Sequence, residues 1–195
     1  MIESAEQRTS ELQRKALAAI EQINQGDLDG GAEICREVLA QDPARIEGIY
    51  GLGLVAHLKG DLLEARNHYH HAVSLNEDWT PVQHSLALLD VTEGSMSAAQ
   101  LRLVEVLEKD SRDLDTRRLL GQILVEAGQY DDGVALLMSI LEEDPNEWQT
   151  HFILASLYAE VERTPESKRH LEAVIAANPE HEQARELLDQ LNRQG

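Results

Sequence analysis

Apolar residues recur along this chain three and four positions apart, in short runs that polar, glycine-containing turns separate. Such spacing places the apolar side chains on one face of an α-helix. Four turn glycines, Gly26, Gly60, Gly94 and Gly128, lie 34 residues apart. The pattern therefore predicts pairs of helices joined by glycine turns and repeated with a period of 34 residues.

Other positions of the same period are restricted in residue size. One column contains only small residues and another only aliphatic ones: Ala19, Gly53, Ala87, Gly121 and Ala155 in the first, and Leu39, Val73, Leu107, Leu141 and Ile175 in the second. We expect two helices to meet closely at the small column.

Each repeat ends in Asp or Asn, from Asp42 to Asn178, and three of the five repeats follow it with proline. Proline cannot continue a helix, and Asp and Asn favour turns and caps. Glu77 and Ser111 stand where the other repeats have proline. The sequence therefore predicts less sharply defined helix ends at these two places.

The last repeat departs from the pattern at its turn, where Glu162 replaces glycine. Thr164 and Pro165 follow, and threonine is a favoured N-cap while proline suits the first position of a helix. We therefore expect the turn to be kept, with Thr164 as the N-cap of the second helix.

These features resemble the tetratricopeptide repeat family, whose helix-turn-helix units carry a leucine-glycine pair, a small residue early in the second helix and a proline near the end. The second repeat shows them best, at Leu52, Gly53, Gly60, Ala65, Tyr69 and Ala72. By this phasing five repeats cover residues 12–45, 46–79, 80–113, 114–147 and 148–181, after an N-terminal extension at 1–11. The resemblance implies an all-α fold, an α-solenoid in which antiparallel helix pairs form a right-handed superhelix.

Residues 182–195 begin a sixth repeat but stop after one helix. Ala184, Leu187, Leu188 and Leu191 form a single apolar stripe along it. Since the ends of stacked repeats must be covered, we interpret this segment as a C-terminal capping helix.

The charge balance limits the partners. The chain has 17 basic and 36 acidic residues, a net charge of -19, which repels nucleic acid and anionic membranes alike. Cys35 is the single cysteine, and the sequence contains neither an apolar leader nor an apolar run of membrane-spanning length. If the sequence is complete, these features predict a cytoplasmic protein that is neither exported nor anchored.

No motif for catalysis or for a cofactor stands out, so we expect a protein that is not an enzyme. Gly51, Gly53 and Ala56 match the spacing of a dinucleotide-binding fingerprint, but that motif requires a strand before it, and here the residues lie inside a predicted helix. Gly53 belongs to the small column, whereas Gly51 does not. Gly51 is therefore a position where a ligand backbone could come near.

Three histidines, His68, His70 and His71, lie within four positions. Glu64, His68 and His71 have the spacing of one helix face and are weak metal-ligand candidates. His70 and His71 align with charged residues in other repeats, and neither a cysteine nor a supporting partner is recognisable. We interpret the cluster as a solvated helix face.

In tetratricopeptide repeats the first helices line a concave groove that commonly holds a peptide or a partner helix. The resemblance therefore implies partner binding at the groove-facing positions Tyr50, Leu54, His57, His84, Leu88, Arg118, Gln122 and Phe152. We expect Tyr50 and Phe152 to act as apolar anchors and Arg118 to fix an acidic or carbonyl group of the ligand.

The sequence predicts a non-catalytic protein-binding module or assembly scaffold that binds a peptide or helix of another protein. Two alternatives stay open. One is a self-assembling structural protein, a homo-oligomer whose groove or first helix docks on another copy. The other is a metal-binding regulatory subunit of an enzyme.

Overall fold

The computed structural model describes residues 5–194, and every regular element in that range is an α-helix. The helices are α1 (Ala5–Asn24), α2 (Leu28–Gln41), α3 (Ile46–Leu58), α4 (Leu62–Leu75), α5 (Thr80–Thr92), α6 (Met96–Lys109), α7 (Leu114–Glu126), α8 (Tyr130–Glu143), α9 (Trp148–Glu160), α10 (Thr164–Ala177) and α11 (Glu182–Gln194). The starts of the odd-numbered helices α3 to α11 follow one another at intervals of 34 residues. The predicted all-α fold of paired helices is confirmed.

The first helix is longer than the others because α1 begins at Ala5. Residues 5–11, predicted as an N-terminal extension, continue this helix, while residues 1–4 of the extension lie outside the described range.

Two compact halves divide the chain, an N-terminal half of residues 1–102 and a C-terminal half of residues 103–195. The division falls inside α6. Helices α1 to α5 belong to the first half and helices α7 to α11 to the second.

The turn glycines have backbone angles that other residues rarely adopt. Their φ angles are 98° at Gly26, 82° at Gly60, 78° at Gly94 and 82° at Gly128. Glycine reaches this left-handed region without a steric cost, since it has no Cβ. Glu162 adopts φ 59° at the equivalent turn, so the last repeat keeps the turn without glycine.

Side chains of Asp and Asn form the turns that end the repeats. The carboxylate or amide oxygens of Asp42, Asn76, Asp110 and Asp144 accept hydrogen bonds from the backbone N–H two residues later, at 3.2, 3.1, 3.0 and 3.0 Å. This turn forms with or without proline. Helices α4 and α6 consequently end at Leu75 and Lys109, the same repeat position as Gln41 in α2. The prediction of less defined ends at Glu77 and Ser111 is wrong.

The predicted cap of α10 is also wrong. Thr164 is the first residue of the helix, and the N-cap position belongs to Arg163, whose side chain does not cap the helix. The Arg163 guanidinium instead donates to Glu166 Oε1 at 2.7 Å.

The core repeats with the same period as the sequence. Five equivalent second-helix residues are fully buried: Cys35, Tyr69, Leu103, Leu137 and Leu171. The small column lies against them, since a Cβ at Gly53 would come within 2.6 Å of the Tyr69 ring and one at Gly121 within 2.7 Å of Leu137. Small residues are therefore required where the two helices of a repeat cross.

Helix α11 covers the last repeat. Its Ala184 and Leu191 are buried in a cluster with Leu171 and Val174 of α10, and Leu187 and Leu188 pack partly buried against the same cluster. Its apolar stripe thus removes the outer side of the fifth repeat from water.

Candidate protein-binding face

Five of the predicted groove residues lie on first helices of the N-terminal half: Tyr50, Leu54 and His57 on α3, and His84 and Leu88 on α5. Residues four and three apart on a helix are neighbours on one face. The α3 residues therefore share a face, as do the two on α5.

An apolar row crosses the first helices of this half. It consists of Ile20 on α1, Leu54 and Leu58 on α3, and Leu88 on α5. Helix α3 contacts both α1 and α5, and Ile20, Leu54 and Leu88 occupy one repeat position. Ile20 and Leu54 are half-buried, whereas Leu88 is 44% exposed and Leu58 is 58% exposed. The core covers this row only in part.

Tyr50 is part of the core. It is only 9% exposed, and its ring packs edge-on against Trp79, with 5.0 Å between ring centroids. Its hydroxyl is hydrogen-bonded to the Ser85 hydroxyl at 3.1 Å. Burial also raises the pKa of the phenol. The expectation of a freely available anchor at Tyr50 is corrected, because the fold itself uses the ring.

His57 is partly buried beside the apolar row. Its Nδ1 lies 3.4 Å from the Tyr69 hydroxyl, and the two rings meet edge to face. Burial lowers the pKa of the imidazole below its ordinary value, because the charged form loses solvation. His84 is also partly buried, on α5.

Arg118 is engaged within the C-terminal half. Its guanidinium donates to Glu147 Oε1 at 2.8 Å and also pairs with Asp115. The same Glu147 carboxylate accepts from the Thr150 backbone N–H at 2.6 Å and so caps α9. Arg118 therefore connects α7 with the start of α9 through Glu147. Its guanidinium already has carboxylate partners inside the protein, which corrects the expectation that it is available for an acidic group of a ligand.

The last two predicted groove residues also lie in the C-terminal half. Gln122 is partly buried on α7 and Phe152 is partly buried on α9. The Phe152 ring lies against His181, with 4.5 Å between ring centroids. His181 Nδ1 in turn accepts the Ala184 backbone N–H at 3.2 Å, at the start of α11. Phe152 thus supports the junction with the capping helix.

The three clustered histidines, His68, His70 and His71, lie on α4. His70 and His71 are exposed, and His68 Nε2 lies 3.8 Å from Glu64 Oε1. Across residues 5–194, no group of three or more His, Cys, Asp or Glu side chains is placed to hold a metal ion.

Gly51 is closely packed from inside the protein. A Cβ at this position would lie 2.5 Å from the Cys35 sulfur. Cys35 is buried, and burial raises the pKa of its thiol to about 11. The space expected for a ligand backbone at Gly51 is filled by this side chain, so both residues serve the core.

A histidine pair in the last repeat was not found from the sequence. His151 Nε2 lies 3.0 Å from the Pro145 carbonyl oxygen, which can only accept, so Nε2 carries the hydrogen. His151 Nδ1 lies 2.8 Å from His170 Nδ1, and one of these two nitrogens donates a hydrogen bond to the other. The two histidines occupy different helices and no column pairs them, so the sequence carried no signal.

In the described part of the chain, no helix combines the length and the apolar character needed to cross a membrane.

Known proteins share this architecture. Residues 91–151 match the tetratricopeptide repeat family. Tetratricopeptide repeat protein 7A of Homo sapiens is 34% identical over 86 residues, which are 44% of this chain and 10% of that protein. The matched region thus spans about a tenth of the curated relative.

Two solved structures have the same fold. TTC0263, a thermophilic TPR protein of Thermus thermophilus, superposes with a TM-score of 0.81 at 16% identity, covering 92% of this chain and 98% of its own. YrrB, described as a TPR protein with an unusual peptide-binding site, has a TM-score of 0.56 at 20% identity, covering 87% of each chain. The 34-residue period, the paired helices, the family match and these likenesses lead to one conclusion: residues 91–151 belong to the tetratricopeptide repeat family, and the described chain has the fold of tetratricopeptide repeat proteins.

Proposed function

We propose that this protein is a non-catalytic interaction module and that its N-terminal half holds an apolar segment of a partner protein on the apolar row. Proteins of the tetratricopeptide repeat family typically serve as scaffolds for protein interactions. The binding surface in this chain consists of Ile20, Leu54, Leu58 and Leu88, with His57 and His84 on the same helices.

The exposure of two leucines carries the proposal. Leu88 and Leu58 are 44% and 58% exposed, so neither is needed to complete the core. Other repeats manage without them: Gln122 and Ser156 are equivalent to Leu88, and Asn24, Thr92, Glu126 and Glu160 are equivalent to Leu58. An apolar residue that the fold does not require, on a surface next to other apolar residues, favours burial against a partner.

The expected contribution of the row is sufficient for a reversible complex. Burying a leucine side chain fully contributes roughly 1.5–3 kcal/mol relative to its exposed state. Two exposed leucines, together with the half-buried Ile20 and Leu54, therefore give the row several kcal/mol of apolar burial to offer. The peptide-binding site described for YrrB supports the same kind of ligand, a peptide segment.

The test replaces the exposed leucine of α5 with the residue of the fourth repeat. Leu88→Gln reproduces Gln122 at the same repeat position and should keep the fold. The control is Leu63→Gln, because Leu63 is a 73% exposed leucine on α4, a second helix outside the row. Proteins captured from the native host extract would be quantified for both variants and for the unaltered chain.

We expect at least one captured protein to be lost with Leu88→Gln and kept with Leu63→Gln. Equal capture by all three forms would overturn the assignment of the row. If instead the mass in light scattering rises with concentration and Leu88→Gln abolishes that rise, the row binds a second copy of the chain rather than another protein.

A further inference from the structure

A surface depression of about 530 Å³ lies in the C-terminal half, and its lining residues are not those of the apolar row. We call it the Trp148 socket. Its walls are Trp148 at the start of α9, Pro145 and Asn146 in the preceding loop, and three alanines of α10, Ala173, Ala176 and Ala177.

The alanines distinguish this repeat from the others. The equivalent residues are Glu37, His71, Glu105 and Ser139 for Ala173; Ala40, Ser74, Glu108 and Glu142 for Ala176; and Gln41, Leu75, Lys109 and Glu143 for Ala177. Only the fifth repeat has alanine at all three positions, so only here is that part of the second helix free of long side chains. The shortened side chains leave an open apolar floor beside the indole ring.

The electrostatic surroundings of the socket favour a cation. Helix α10 ends at Ala177, and its last turn has no basic residue to offset the partial negative charge of its last carbonyl groups. The face of a tryptophan ring attracts ammonium and guanidinium groups more strongly than other aromatic faces do. The Trp148 ring also meets the His181 ring, with 5.2 Å between ring centroids, so the part of the indole that is left open lines the socket.

Uncompensated carboxylates lie close by in the sequence. Glu142 precedes the loop, Glu172 precedes Ala173, and Glu180 follows α10. Within the described range 5–194, the carboxylates of these three residues form neither a hydrogen bond nor an ion pair with another residue. The whole chain has a net charge of -19, which adds a long-range attraction for basic groups.

We propose that the Trp148 socket binds a lysine or arginine side chain from a basic segment of a partner protein. The aliphatic stem lies on the three alanines, the charged end lies over the indole, and the amide oxygen of Asn146 accepts a hydrogen bond from it. The socket is a second binding surface, separate from the apolar row and independent of whether that row binds a partner.

The experiment follows the indole N–H signal of Trp148 by nuclear magnetic resonance on the full ¹⁵N-labelled chain. The chain has 2 tryptophans, so the spectrum of Trp79→Phe identifies the Trp148 signal. The probe is the capped peptide acetyl-Ser-Arg-Ser-Arg-Ser-amide. The matched peptide carries citrulline, which has the shape of arginine without its charge, in place of both arginines.

We expect the arginine peptide to shift the Trp148 signal with saturation at roughly millimolar concentration, the range for a single weak anchor. The shift should shrink at high salt. The citrulline peptide should leave the signal in place at the same concentrations. An equal shift with citrulline, or no shift with arginine at 10 mM, about ten times that weak affinity, would overturn the proposal.

A variant inside the socket supplies the structural control. Ala177→Lys introduces the residue type that the third repeat has at Lys109, so the helix tolerates it, and it places an internal cation in the socket. The response to the arginine peptide should fall at least tenfold. An undiminished response in Ala177→Lys would show that the peptide binds elsewhere, and the socket would be rejected.

Discussion

Four of the turns between paired helices have glycine, and the fifth has glutamate in a backbone conformation that is unfavourable for it. Gly26, Gly60, Gly94 and Gly128 have φ angles of 78–98°, and nothing lies within 4 Å of a Cβ built on any of them. Space is therefore not the reason for glycine, and the backbone angle is. Glu162 adopts φ 59° with a Cβ, in a region that costs an L-residue roughly 1–2 kcal/mol.

Replacing this glutamate should stabilise the protein. Glu162→Gly removes the backbone strain, and part of the gain is lost to the greater freedom of glycine in the unfolded chain. We expect the free energy of unfolding to rise by about 0.5–1 kcal/mol in urea titrations. Gly60→Ala is the reverse change at an equivalent turn, and it should lower the free energy of unfolding. Equal or lower stability of Glu162→Gly would refute the account of the turn.

His170 should make stability depend on pH. Burial, then the neighbouring His151 and then Arg169, lower the pKa of His170 from 6.5 to about 4. Between pH 6.5 and 4 the unfolded chain takes up a proton that the folded chain refuses, so stability is fully present above pH 6.5 and falls as the pH drops through this window. Because the ring is only partly buried, solvent screening reduces the size of the effect.

The measurement compares urea midpoints at pH 7 and pH 5. His170→Phe keeps a ring that can stack on Tyr158, whose centroid lies 5.5 Å from that of His170, but it cannot titrate. The loss of stability between the two pH values should be smaller in this variant, whereas His71→Gln on the exposed face of α4 should leave the loss unchanged. An identical loss in His170→Phe would remove His170 from the explanation.

The sequence predicted the pairing of the helices well, because the turn glycines recur with the 34-residue period. Its failures at the predicted groove residues have non-local causes. Tyr50 is buried because Trp79 and Ser85 come from outside its own helix, and Arg118 is engaged by Glu147 of the loop before the next repeat. Equivalent positions in other repeats indicate which helix face a residue occupies. They do not indicate which side chain from another part of the chain contacts that residue.

The capping helix gives a prediction at this scale. Leu191 is buried against the fifth repeat, so Leu191→Ala removes an apolar contact and leaves a cavity. We expect a loss of about 2–3 kcal/mol in the free energy of unfolding. Gln190→Ala changes an exposed neighbour and should stay close to the unaltered protein. A loss for Leu191→Ala no larger than that of its neighbour would show that α11 covers nothing of importance.

Across the whole molecule, function is best sought where one repeat differs from its siblings without a structural need. The exposed Leu58 and Leu88 mark such a place in the N-terminal half, and the three alanines beside Trp148 mark one in the C-terminal half. Equivalent repeats act as internal controls, since they show which residues the same fold accepts. A departure that core packing explains, such as Gly51 against Cys35, does not indicate a functional site.

The most direct test of the apolar row is photocrosslinking in the native host cells. A benzoylphenylalanine would be placed at position 88, with the same residue at position 63 or position 122 in separate chains. We expect a crosslinked product of discrete mass from position 88 and none from positions 63 and 122. No product from position 88, or equal products from all three positions, would contradict the claim that the first helices of the N-terminal half bind a partner.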